Sequence, residues 1–320
     1  MNFQQLRSIR EAARRNFNLT EVANVLFTSQ PGVSRQILEV EEELGIDIFQ
    51  RNGKRLVGLT DPGKGILPII ERLLLEAENL RQAGNDYADQ SRGTLAVATT
   101  HTQARYVLPK VVQQFRLAFP DVRIALQQSA PEHIAEWVIS GKADIGIATE
   151  GLSQFKDLVS FPCYEWNHLV VVPEGHALLQ HEHLSLADLA QFPLITYDVG
   201  FTGRGHIDAA FQQAGLTADI VLTAMDSDVI QQYVALGLGV GIIASMAFEN
   251  NQSTAGTTTA NRSNGLRTLV ASHLFAANVT RLAVRRGAYL RAYTLDFMQK
   301  FAPSLNLEII NNAMNAAKID

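Results

Sequence analysis

Apolar positions follow two rhythms along this chain: helical spacing up to Gly84, then short strand-like runs from Thr94 onward. Phe3, Leu6 and Ile9 predict a first helix over 2–16 with an arginine-rich far face. Leu19, Val22, Ala23 and Leu26 make one side of a second, short helix, and Phe27-Thr28 break it. Ser29 is suited to N-cap a third helix, with Gln30 and Pro31 in its first turn, where proline's missing N–H costs little. Val33, Ile37, Val40 and Leu44 supply that helix's inward face. After Leu44-Gly45 comes an apolar patch (Ile46, Ile48, Phe49), and then RNGKRLVGLT, a hairpin-like loop containing the turn signal Asn52-Gly53. Thr60 is placed to cap a long helix reaching about Asn85, with Ile66, Ile69, Ile70, Leu73, Leu74, Ala77 and Leu80 in one stripe. Pro68 inside the stripe predicts a kink or a later start.

GNDYADQSRG, bounded by Gly84 and Gly93, reads as a hinge. Beyond it the runs TLAVATT, VRIALQQ, ADIGIAT, HLVVVPE, LITYD, DIVLTAM, VGIIA and RLAVRR read as strands. Helical stretches near 105–118, 131–140, 205–214 and 226–236 alternate with them. That alternation predicts an α/β class with open, mostly parallel sheets, and the length allows two such lobes. Asn250–Gly265 is a Ser/Thr/Asn/Gly stretch without a periodic apolar face, expected to be a mobile surface loop. Beyond Pro303, Leu305, Leu307 and Ile310 predict a further helix, docked either on the first lobe or on a neighbouring subunit.

Two short helices joined by a tight turn can be an ordinary helical hairpin or a DNA reader. Ser29, Gln30, Pro31, Ser34 and Arg35 lie at the exposed start of the third helix. Gln and Arg there are able to make bidentate contacts to base edges. Arg51, Lys54 and Arg55 put positive charge on the following loop, suited to phosphate contact.

The run Ala23…Leu26…Ser29-Gln30-Pro31…Val33-Ser34…Gln36-Ile37…Glu39…Leu44-Gly45…Phe49…Arg51…Leu59-Thr60…Gly63 resembles the winged helix-turn-helix signature of LysR-type transcriptional regulators. Asp61-Pro62 departs from the usual pattern and touches only the entry to the long helix. The resemblance implies a winged helix-turn-helix domain over 1–59, a linker helix and hinge over 60–92, and an effector-binding domain over 93–320. It implies a two-lobed, periplasmic-binding-protein-like form for the last of these, with lobe I at 93–165 and 268–302 and lobe II at 166–267. The tail occupies 303–320. It also implies that the long helix pairs with its copy in a homo-oligomer, a dimer or a tetramer.

At 320 residues the chain allows about two domains on a prior of roughly 150 residues each. Its net charge of −5 speaks weakly against DNA binding, but Arg7, Arg10, Arg14, Arg15, Arg35, Arg51, Lys54 and Arg55 gather in the first part, and distribution is the useful quantity. The single cysteine, Cys163, excludes an internal disulfide and a cysteine-cluster zinc site. No apolar run reaches about 18 residues and no basic start leads into an apolar segment, so a soluble, cytoplasmic protein without membrane contact is expected.

The sharpest chemistry lies at Ala98–Pro109, ATTHTQARYVLP, where a strand ends in hydroxyls and an amide before a helix. Such an end can hold an anion without a cation. Thr149-Glu150 and Gly200–Gly205 follow other strands, and Thr202 lies in the second of these clusters. Any one threonine there is more readily a helix cap; together they favour a pocket. TTHTQARY, CYEWNH, TYDVGFTGR, AGLTADIVLTAMDSDVI and LGLGVGIIASMA are similar to the sulfur-assimilation branch of the same family. That likeness implies effector contacts at Thr100, Thr102, Gln103, Thr149 and Thr202, with Trp166 lining the cleft. It implies a small anionic effector: N-acetylserine, O-acetylserine, sulfate or a thiosulfate-like anion. It also makes promoter DNA and RNA polymerase the macromolecular partners.

Three motifs carry no chemistry. Gly237-Leu238-Gly239-Val240-Gly241 follows a helix and opens a strand, the reverse of a dinucleotide site. His181-Glu182-His183 has no further ligand cluster in the sequence, and no nucleophile elbow is present. Neither a cofactor, a metal nor a catalytic residue is expected. The chain therefore reads as a regulator of sulfur-assimilation and cysteine-biosynthesis genes; a small-molecule-binding protein without a DNA role is the alternative.

Overall fold

The structure, a computed structural model, describes residues 1–201, 203–248 and 265–316. The chain divides into two compact units, Met1–Ala88 and Asp89–Asp320. In the first, α1 (Phe3–Arg14), α2 (Leu19–Val25) and α3 (Gln30–Leu44) precede the hairpin β1 (Phe49–Asn52) and β2 (Arg55–Leu59), and α4 (Asp61–Ala88) follows. Each short helix is capped from its own sequence. Asn2 and Gln5 form a capping box on α1, Asn18 caps α2, and the Ser29 hydroxyl accepts from Gly32 N at 3.2 Å on α3. Gly45 ends α3 in the left-handed conformation (φ 68°). Leu6, Ile9, Val22, Val33, Ile37, Val40, Ile48, Phe49, Ile70 and Leu74 share one core.

The hairpin contains the expected Asn52-Gly53: it pairs Asn52 with Arg55 and turns through Gly53-Lys54, with Gly53 at φ 60°. Pro68 neither delays nor interrupts α4, which begins at Asp61 and runs on through Gly84 to Ala88. The turn between the units is thus shorter than the expected 84–93. Thr60 does cap the helix, accepting from Gly63 N at 2.9 Å. A Cβ on Gly63 would fall 2.1 Å from Ile48 O, so the start of α4 packs on the wing's entry through a bare glycine.

The second unit holds two five-stranded sheets. The first contains β3 (Gly93–Thr99), β4 (Val122–Gln128), β5 (Ile145–Ala148), β6 (Leu158–Trp166) and β12 (Asn278–Arg285), in the order β4-β3-β5-β12-β6. The second contains β7 (His168–Pro173), β8 (Leu194–Tyr197), β9 (Ile220–Ala224), β10 (Val240–Ala244) and β11 (Leu266–Val270), in the order β11-β7-β10-β8-β9. The helices α5 (His101–Tyr106), α6 (Leu108–Ala118) and α7 (Pro131–Ser140) follow strands of the first sheet. In the second lobe come α8 (Leu186–Leu189), α9 (Arg204–Gln213) and α10 (Ser227–Ala235).

Both sheets are mixed rather than mostly parallel: β12 runs antiparallel to β5 and β6, and β7 antiparallel to β10 and β11. The lobe boundaries move accordingly. Trp166 ends a lobe I strand, and β11 belongs wholly to lobe II, so the return crossing lies at 271–277. After α11 (Ala292–Phe301), α12 (Leu307–Ala316) docks on lobe I. Leu305, Ile310 and Met314 join the core of Leu95, Val97, Phe115, Ile145 and Phe297. The expected loop at 250–264 lies outside the described residues, as does Thr202.

Candidate functional site

In the first unit the N-terminal end of α3 is open. Ser29, Gln30, Pro31 and Arg35 are exposed and Ser34 is half-buried. Gln36 is turned inward, accepting from Ser8 Oγ at 2.6 Å. Arg35, 82% exposed, pairs with Glu39 at 2.8 Å, and Glu39 also accepts from Gln5 Nε2 at 2.8 Å. These bonds, Gln5's first, hold the Glu39 carboxyl below its ordinary range. On the wing, Lys54 and Arg55 are exposed and make no salt bridge among the described residues. Arg51 differs. Its guanidinium meets Glu41 at 2.6 Å, and that buried carboxylate also accepts from Ile48 N (2.8 Å) and Phe49 N (3.0 Å). Arg51 therefore neutralises a buried anchor of the wing, besides any phosphate contact it has donors left to make.

In the second unit the carboxyl end of β3 leads into α5, where Thr100, Thr102 and Gln103 are all buried. Thr100 occupies the N-cap position without a side-chain cap bond. Thr99 Oγ1 is buried without a hydrogen-bond partner, and Thr102 Oγ1 is buried beside the Tyr197 phenol. Gln103 is more committed. It accepts from the Tyr164 hydroxyl and donates to Thr280 Oγ1 at 3.1 Å. Trp166 Nε1 donates to the same Thr280 oxygen at 3.1 Å, so the amide and the indole meet on one hydroxyl. Thr149, half-buried, lies two residues past Ile147, whose carbonyl accepts from Thr100 N at 3.3 Å.

Across from α5, the Tyr197 hydroxyl shares a 2.6 Å bond with Ser227 Oγ and accepts from Ala244 N at 2.9 Å. Burial pushes the phenols of Tyr164 and Tyr197 up to about 12, so both stay neutral at any physiological pH. Arg204 spends its guanidinium on Tyr197 O (2.6 Å) and Asp208 (2.8 Å), so it is committed to lobe II rather than free in solvent. Gly203 (φ 71°) has no room for a side chain: a Cβ would lie 2.3 Å from Asn278 Oδ1 and 2.7 Å from the His168 ring.

Between α5 and the start of α10 lies a charged latch that the sequence reading missed. Asp228 accepts from the Tyr106 hydroxyl at 2.7 Å and pairs with Arg105 at 2.6 Å and His101 at 3.8 Å. The negative charge of Asp228 raises the Arg105 guanidinium's pKa further, while burial first and Asp228 second raise that of Tyr106. His101, Asp226 and Asp228 bring ligand atoms within 4.8 Å of one another, as a metal would require. Arg105 already supplies a cation there, which disfavours a second one. His181 of the His-Glu-His motif lies 3.4 Å from Asp188.

Residues 3–64 match the bacterial regulatory helix-turn-helix protein family, lysR type, and residues 88–301 match the LysR substrate binding domain. This chain belongs to the LysR family. The regulator is 56% identical over 306 residues to the HTH-type transcriptional regulator SsuR of Burkholderia cenocepacia, covering 96% of each chain. It is 50% identical over 314 residues to CysB of the same organism, covering 98% of this chain and 97% of that one. It is 51% identical over 310 residues to cbl of Escherichia coli, covering 97% and 95%. The solved cofactor-binding domain of the Cbl transcriptional regulator superposes with a TM-score of 0.65 at 45% identity, over 70% of this chain and 94% of that one. A full-length OxyR variant from Pseudomonas aeruginosa shares the fold over 96% of this chain, with a TM-score of 0.61. The regulator is thus a DNA-binding transcription factor and not an enzyme. Among its described residues no helix is long and apolar enough to cross a membrane.

Proposed function

We propose that this LysR-family regulator controls genes of sulfur assimilation and cysteine biosynthesis in the cytoplasm. It reads promoter DNA with Ser29, Gln30, Pro31, Ser34 and Arg35, and steadies the duplex with Arg51, Lys54 and Arg55. Its effector is a small anion (acetylserine, sulfate or a thiosulfate-like ion) held between the lobes by Thr100, Thr102, Gln103, Thr149 and Thr202, with Trp166 alongside. One observation carries this reading: the buried hydroxyls of Thr99, Thr100 and Thr102 gather at the end of β3, that of Thr99 without a partner, among neutral phenols and amides. A buried polar group left unbonded is costly, and an exchangeable anion would satisfy it.

The exposed apolar side chains Ile69, Leu73 and Leu80 on α4 support pairing with the same helix of a second copy. In the assembled oligomer, ligand-driven lobe movement changes how the readers meet their half-sites, and so the access of RNA polymerase. Gel-shift assays on a cysteine-biosynthesis promoter, with and without N-acetylserine, O-acetylserine, sulfate and thiosulfate, test the reading. It predicts a specific complex whose mobility or affinity one of these anions alters; indifference to all four would overturn it.

A further inference from the structure

Phe27, in the turn between α2 and α3, is 97% exposed, more than any other large apolar side chain among the described residues. Its backbone lies in the left-handed region at φ 50°, where glycine or asparagine fits and a bulky side chain is strained. The turn does not need the ring. It is closed by backbone bonds alone, from Phe27 N to Asn24 O (3.4 Å) and Thr28 N to Ala23 O (2.9 Å). Phe17 provides the internal comparison. It too is left-handed, at φ 63°, but its ring packs edge-on against Phe49 at 6.0 Å, half-buried against the core. In that case the chain partly covers the ring that strains it; at Phe27 it leaves the ring in water. Strain and exposure at one residue persist when something outside the chain offsets both.

The neighbours say what that partner is. Two residues on, Ser29 caps α3, its hydroxyl taking the Gly32 N–H, and the positive dipole end of the helix lies beside exposed Gln30 and Arg35. The Gln30 amide and the Arg35 guanidinium, which gives Glu39 its Nε and keeps its Nη groups, leave donors on this rim that suit a polyanion. We propose that the Phe27 ring lies on the apolar surface of the DNA duplex, its deoxyribose faces or thymine methyl groups, next to the bases read by α3. This rests on the assignment of α3 as the reader. Phosphate contacts set register, and apolar contact with a thymine methyl reads sequence. A ring held in a closed turn would add contact area to that face at little further entropic cost.

The test uses the full chain and the duplex that it selects from a randomised pool. Phe27→Asn fits the left-handed backbone and removes the ring; Phe27→Tyr keeps the ring. We expect Phe27→Asn to keep or raise the melting temperature while weakening the selected duplex roughly tenfold. The dependence of log K on log salt should be unchanged, because no charge is lost. Phe27→Tyr should bind like the parent. Replacing thymine by uracil separates the two surfaces: weaker parent binding that Phe27→Asn does not share assigns the ring to methyl groups, and no effect assigns it to sugars. Equal affinity of Phe27→Asn and parent would overturn the proposal, whether or not the substitution changes self-association. Failure of the parent to select any sequence would instead remove the reader assignment, and this contact with it.

Discussion

Thr100 and Arg51 show how differently two polar side chains act once their surroundings are known. Thr100 is buried at the head of α5 with no cap bond to make, so its hydroxyl is available to a ligand. Thr100→Val keeps the shape and loses one donor. Anion affinity by titration calorimetry with sulfate and N-acetylserine should fall by about 1.5–3 kcal/mol, with the melting temperature nearly unchanged. Parent-like affinity for both ligands would place the site elsewhere. Arg51 is the opposite case. Its loss leaves Glu41 buried with only two backbone donors, so Arg51→Ala should destabilise the first unit by about 1–3 kcal/mol. Lys54→Ala and Arg55→Ala, which break no salt bridge among the described residues, should leave denaturant midpoints in place. They should weaken DNA binding evenly, lowering the salt slope by about one unit each. Equal midpoints for all three variants would show that Arg51 has no structural part. Arg35→Ala should cost specific binding about 1–3 kcal/mol and relax base preference; equal loss on operator and random DNA would refute its role as a base reader.

At the scale of elements, the sequence made helices legible through caps and stripes, and strands legible where apolar runs were unbroken. It hid β6 and β11. In β6, Pro162 interrupts LVSFPCYEW, and a proline reads as evidence against a strand. The structure reconciles this: β6 is an edge strand, and Pro162 sits at a bulge where Tyr164 opposes Thr280, Pro162 opposes Arg281 and Cys163 is the extra residue. Burial pushes the Cys163 thiol up to about 11, so it should resist alkylation at neutral pH until the protein unfolds. Missing β6 also meant missing Tyr164, and with it the bond that fixes Gln103; Thr280 was hidden because its role exists only across the sheet. The latch between α5 and α10 escaped for the same reason, since Tyr106 and Asp228 are 122 residues apart. Asp228→Asn removes the charge that holds Arg105. Because α5 also carries the proposed anion site, the lobes' binding-competent arrangement becomes less populated and the apparent effector Kd rises in proportion. A several-fold rise in Kd with intact folding is the expected result; an unchanged Kd would disconnect latch from site.

On the scale of the whole chain, the question is how a ligand in the second unit alters the first. The connection is covalent at Ala88-Asp89, and the second unit grips its own leading segment tightly. Buried Arg291 donates to Asp89 O and Arg92 O, both at 3.1 Å, and to the Tyr293 hydroxyl at 3.0 Å; Tyr293 in turn donates to Thr94 O at 3.1 Å. Gly93 makes room for this, with φ 148° and a Cβ position only 2.8 Å from Arg291 Nη1. A planar guanidinium that gives Nη2 to both carbonyls and Nη1 to Tyr293 holds residues 89–92 in place on the second unit with a fixed geometry that a flexible ammonium lacks. Linkage requires that an effector which changes DNA affinity by some factor has its own affinity changed by DNA by the same factor, typically about 1–3 kcal/mol of coupling. Arg291→Lys should therefore leave effector affinity of the DNA-free protein, and DNA affinity without effector, close to parental values. It should bring the coupling factor towards one in both directions. Calorimetry of effector binding with and without saturating operator, paired with gel shifts with and without effector, measures both factors. Full coupling retained in Arg291→Lys would show that the effector's message does not depend on how the second unit holds residues 89–92.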